Sequence, residues 1–81
     1  MPIKDWEARL TPREYEVLML LPSGKTNVSI AYELGITAGT VKMHIRAVLR
    51  KLGVSSRLQA AVIAAKHRIE VRPQYYYQTA A

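Results

Sequence analysis

Cysteine is absent from the 81-residue chain, which excludes disulfides, thiolate catalysis and cysteine-ligated zinc or iron–sulfur centres. No apolar run approaches the length needed to cross a bilayer. The first ten residues carry Lys4, Asp5, Glu7 and Arg9 and hold no apolar stretch of the kind a secretory signal needs. No membrane partner and a cytoplasmic location are therefore expected. Alternating β-branched segments are missing as well, which leaves an all-α fold as the expectation. His44 and His67 have no partner at metal-ligand spacing, so neither metal nor cofactor is expected. Ser23-Gly24-Lys25-Thr26 resembles the end of a phosphate-binding loop, but the motif needs a second glycine where Met19 stands. No Ser/His/Asp set with room for a buried site is visible, so the chain is expected not to be an enzyme and to take no small-molecule ligand.

Acidic residues are scarce and unevenly placed. Four of the six (Asp5, Glu7, Glu14, Glu16) lie in the first 16 residues, and none lies between Gly35 and Ile69. That acid-free stretch holds Lys42, Arg46, Arg50, Lys51, Arg57, Lys66 and Arg68, within a chain of net charge +6. A half of one sign favours a polyanionic partner, with nucleic acid first and an acidic membrane surface second. Apolar residues make up 49% of the chain, enough to fold one small domain. A core of that size is marginal on its own, and dimerisation would help it.

Four helices can be read from their caps, at about 12–21, 27–34, 38–52 and 56–68. Thr11 is placed to cap the first, with Pro12 at the first helical position and Glu14 completing a capping box. Pro22-Ser23-Gly24 ends it. Thr26 is expected to cap the second helix and Gly35 to close it in a left-handed conformation. Thr37 opens the third, and Gly53 closes it. Ser55 or Ser56 caps the fourth, whose inward side is expected to be Leu58, Ala61, Val62 and Ala65. Residues 1–9 read as a segment or linker, 10–70 as the domain, and 71–81, with Tyr75-Tyr76-Tyr77, as a flexible tail.

Two helices joined by a short turn containing glycine form a helix-turn-helix, whose second member enters the major groove of double-stranded DNA. The third helix has the required two-sidedness. Val41, Ile45, Val48, Leu49 and Leu52 recur at helical spacing on one arc, and Lys42, Met43, Arg46, Ala47 and Arg50 lie opposite. Lys42 and Arg46, one turn apart, suit guanine N7 and O6, and Met43 suits a thymine methyl. Thr37, Gly39 and Thr40 stand at the helix N-terminus, where free N–H groups suit a phosphate. His44 and Arg50 are further backbone donors on the same helix.

Leu10-Thr11-Pro12-Arg13-Glu14, Gly24-Lys25-Thr26-Asn27, Ile30-Ala31-Tyr32-Glu33-Leu34, Thr40-Val41-Lys42-Met43-His44, Lys51-Leu52-Gly53-Val54 and Ser56-Arg57-Leu58-Gln59-Ala60 follow one another in this order. Over about residues 9–69 the chain resembles the helix-turn-helix DNA-binding domain of LuxR-type transcription regulators. The resemblance implies four helices, DNA binding as a homodimer through the fourth, and the role of a response-regulator output domain. It implies base contacts by Lys42, Met43 and Arg46, backbone contacts by Lys25, Thr26, Asn27, Thr40 and His44, and a dimer face at Ala60, Ile63, Ala64 and His67. RNA polymerase is a further candidate partner of such a regulator. Val28 and Ser29 depart from the pattern, which often carries a basic residue followed by Glu or Gln. A protein-binding module that pairs with and modulates a full-length regulator is the alternative reading. A sigma-factor promoter-reading region is less well matched, since its polymerase interface would need more chain.

Overall fold

Residues 5–70 are described by the computed structural model, and all regular structure among them is helical. In chain order these are α1 (Asp5–Arg9), α2 (Pro12–Leu20) with a 3-10 turn over Leu21–Ser23, α3 (Asn27–Leu34), α4 (Ala38–Leu52) and α5 (Arg57–Glu70). The tail residues named above lie outside the described range.

Local chemistry sets the helix starts. Thr11 Oγ1 accepts from the Glu14 amide at 3.1 Å while Glu14 Oε1 accepts from the Thr11 amide at 2.9 Å, a complete capping box. Thr26 and Thr37 each accept the amide three residues ahead at 3.1 Å. Ser56 rather than Ser55 caps α5, because its Oγ accepts from the Gln59 amide and Gln59 Oε1 accepts from the Ser56 amide, each at 3.1 Å. Each pair satisfies donors that a helix start leaves without an internal partner.

The turn that orients α4 on α3 is three residues long. Gly35 sits at φ +69°, a left-handed conformation that costs a side-chain-bearing residue steric energy. Its amide bonds back to Tyr32, and the Ile36 amide bonds to the Ala31 carbonyl at 3.0 Å. This closure drives Ile36 against the core, as a Schellman ending favours. The chain then re-enters a helix at once through Thr37.

The core gathers Val17, Leu18 and Leu21 from the α2 segment, Ile30 and Ala31 from α3, Val41, Ile45 and Val48 from α4, and Ala60 and Ala64 from α5. Three of the five apolar positions expected behind α4 are thus buried, and Leu49 and Leu52 pack at the rim.

Two expectations are corrected. The first is the rotation of α5. Ala60, Ala64 and His67, expected as dimer-face residues, are buried, and Ile63 is half-buried. Leu58 and Val62, expected inside, are 73% and 58% exposed, and Ala65 is exposed too. The physical reason is size. Alanines one turn apart let α5 approach the α2 segment closely, and larger side chains there would hold it off. His67 then fixes the rotation. Its Nε2 lies 3.1 Å from the Tyr15 hydroxyl and 3.6 Å from a Glu7 carboxylate oxygen.

The N-terminal segment also departs from the linker expected of it. Residues 5–9 form α1 and belong to the packed body. Trp6 meets the His67 ring edge-on at a centroid separation of 5.0 Å, and Arg9 donates to the Lys51 carbonyl at 3.2 Å. A single turn is not stable alone, so these tertiary contacts hold it.

Candidate nucleic-acid interface

The seven bases of the acid-free stretch sort by position once α4 and α5 are fixed. Lys42, Arg46 and Arg50 are exposed on the side of α4 away from the core, and among the described residues none has a carboxylate or hydrogen-bond partner. Met43 stands exposed between them. Lys51 points the other way. Its Nζ lies 2.7 Å from Glu14 Oε1 and braces α4 against α2. Burial opposes ionisation of Glu14, but the Lys51 and Thr11 hydrogen bonds and the charges of Lys51 and His44 outweigh it, holding the carboxyl below its usual range. His44 is half-buried on that flank of α4.

The start of α4 is a second donor surface. The Thr37 and Thr40 hydroxyls lie 2.9 Å apart, so one proton serves that bond and the other is free to leave outward. The amides of Ala38 and Gly39, in the first turn, have no place in the helix ladder. A Cβ built on Gly39 would meet nothing nearer than Thr37 Oγ1 at 3.9 Å, so the fold itself does not require glycine there.

The loop before α3 supplies Lys25 and Thr26, and Asn27 opens the helix. Thr26 spends its oxygen on the cap. Lys25 Nζ pairs with Glu33 at 3.3 Å, both side chains being open to water, so this ion pair is weak and open to competition by a stronger anion. Asn27 Oδ1 and the Lys25 carbonyl both accept from the Arg57 guanidinium. Arg57 is the residue that reading the sequence missed. Its one signal is a cation in the first turn of a helix, where the macrodipole disfavours it.

The expected dimer face does not persist as a set. Ile63 alone of the four borders an open apolar strip, a groove of about 420 Å³ lined by Val54, Leu58, Gln59, Val62 and Ile63. Tyr15, half-buried under His67, has its hydroxyl pKa pushed up, first by burial and then by the nearby Glu7 charge. No helix among the described residues is long and apolar enough to cross a membrane.

The helix pair with its open cationic front coincides with a known family. The pattern of bacterial regulatory proteins of the luxR family matches residues 8–64. The chain belongs to the luxR family. It is 53% identical over 60 residues to the transcriptional regulatory protein LiaR of Bacillus subtilis, covering 74% of this chain and 28% of that relative. It is 44% identical over 61 residues to the nitrate/nitrite response regulator protein NarL of Escherichia coli, covering 75% and 28% respectively. To the response regulator protein VraR of Staphylococcus aureus it is 43% identical over 60 residues, covering 74% and 29%. The chain thus spans under a third of the length of these relatives, and α3 with α4 is the luxR-type helix-turn-helix.

Proposed function

We propose that this luxR-type domain binds double-stranded DNA in a sequence-specific manner as the output module of a bacterial transcription regulator. The observation that carries the reading is the two-sidedness of α4. Val41, Ile45 and Val48 are buried behind it, while Lys42, Met43 and Arg46 stand open in front with no carboxylate partner among the described residues. In the major groove Lys42 and Arg46 donate to guanine and Met43 meets a thymine methyl. Thr37 at the cap of α4 and Thr40, His44 and Arg50 on it, with Lys25 and Thr26 before α3 and Asn27 at its start, hold the phosphates and set the register. RNA polymerase contact and a nucleoid setting follow from this reading.

A symmetric dimer suits the exposed Leu58 and Val62 strip better than the alanine face first expected. Two α4 helices then read half-sites about 10 bp apart, centre to centre. The same strip favours a second reading, in which the domain pairs with a different regulator and modulates it. Selection from a random duplex pool tests both. Recovery of a symmetric motif supports the first reading. Failure to retain any duplex at low salt, with capture of a partner regulator through Leu58, supports the second.

A further inference from the structure

Arg57 opens α5, one residue after its Ser56 cap. A cation in that turn faces the positive end of the helix dipole, so its own helix gives it no support. Among the described residues it has no carboxylate partner either. What it has are two neutral oxygens, one at the first residue of α3 and one in the loop before it. Nη1 donates to Asn27 Oδ1, and Nη2 donates to the Lys25 carbonyl at 2.5 Å. The chain separation is 30 and 32 residues, so this is a tertiary clamp between α5 and the start of α3.

We propose that Arg57 is a positioning residue, which sets the segment Lys25–Asn27 at the start of α3 for the DNA backbone from the first turn of α5. This rests on the DNA-binding reading above. Guanidinium only donates, so the Asn27 side chain must turn its oxygen to Arg57. Its NH2 group is thereby directed away from Arg57, as a donor for a phosphate. The bond to the Lys25 carbonyl fixes the backbone from which the Lys25 ammonium extends. Two acceptors on one planar fork define an orientation, which a point-charge ammonium does not. The clamp also runs from the turn that carries Leu58, so a partner seated on α5 and a phosphate on the loop act on one rigid connection.

The test uses the full chain and a duplex that the wild type selects from a random pool. Arg57→Ala is expected to weaken binding about ten- to a hundredfold on selected and random duplexes alike, since the loop reads no bases. Arg57→Lys keeps the charge but not the fork, and is expected to leave most of that loss in place. In an Asn27→Ala, Lys25→Ala background, Arg57→Ala is expected to cost less than about twofold more, because the groups it places are gone. Wild-type affinity in Arg57→Lys would show that charge suffices and would overturn the proposal. A full additive loss in the background variant would overturn it as well. Should Arg57→Ala not fold, Arg57→Lys carries the same cycle. A wild type that ignores every duplex defeats the DNA reading itself, whereas one that binds equally with and without Arg57 defeats the clamp alone.

Discussion

Lys51 Nζ stands 2.7 Å from Glu14 Oε1, tying the last turn of α4 to the first turn of α2. The same carboxylate oxygen accepts the Thr11 amide and so completes the capping box. One buried oxygen thus decides both where α2 starts and how α4 lies on it. Glu14→Ala is expected to cost about 2–4 kcal/mol, combining a lost cap with a lysine left without its partner. Urea denaturation of the variant against wild type measures this, and a cost under about 0.5 kcal/mol would count against the linkage.

The depressed pKa of Glu14 gives that stability a pH signature. A carboxyl held below its usual value stabilises the fold in full above the unfolded-state value near 4.5, and the contribution falls away as pH drops through the lower folded-state value. The stability gap between wild type and Glu14→Gln is therefore expected to be largest at neutral pH and to close in acid. A gap that stays constant as pH falls well below the unfolded-state value would show that the charge is not involved.

The rotation of α5 separates two sets of substitutions. Ala64→Leu pushes bulk into a fully buried site and is expected to cost about 1–3 kcal/mol or to unfold the domain. Leu58→Glu lies on an exposed position and is expected to leave the monomer within about 0.5 kcal/mol of wild type. Its effect belongs in sedimentation, as weaker self-association. The opposite pattern would restore the face first read from the sequence.

Capping chemistry made α2, α3 and α4 legible in the sequence, because threonine, proline and glycine act locally and their geometry does not wait on tertiary structure. The cationic front of α4 was legible for a related reason. Its hydrophobic arc is narrow, and polar residues fill the rest. In α5, Leu58, Ala60, Ala61, Val62, Ile63, Ala64 and Ala65 leave apolar side chains on every side. Periodicity then chooses no face, and the choice falls to packing volume and to the Tyr15–His67 contact, which joins residues 52 apart in the chain. The Arg57 clamp was hidden in the same way, since its acceptors are a backbone carbonyl and an amide far away in sequence. α1 was missed because five residues carry no helix signal strong enough to stand alone.

Gly39 offers a substitution with opposite signs on folding and binding. Alanine fits there without a clash, and it is a better helix former than glycine by about 0.5–1 kcal/mol. Gly39→Ala is therefore expected to raise the Tm. If a phosphate approaches the first turn of α4 as proposed, the added methyl is expected to weaken DNA binding in the same variant. Thermal melting and a binding titration on one preparation decide it. Higher Tm with unchanged affinity would move the backbone away from this turn.

Salt and sequence together separate a side chain that reads a base from one that holds a phosphate. Arg46 and Arg50 are one turn apart on α4, and both are exposed. A donor aimed at a base edge loses its effect only on the sequence it reads, so Arg46→Ala is expected to cost about 1–3 kcal/mol on the selected duplex and much less on random DNA. A donor on a phosphate releases counterions on every sequence. Arg50→Ala is therefore expected to weaken all duplexes alike and to reduce the log–log salt slope by about one. Lys25→Ala is expected to give a smaller slope change than Arg50→Ala, because Lys25 must leave Glu33 before it meets a phosphate and the released carboxylate offsets part of the gain. Titrations of the three variants between about 50 and 200 mM salt, on the selected duplex and on a scrambled one, resolve the roles. Equal losses on both duplexes for Arg46→Ala would place that side chain on the backbone instead of a base.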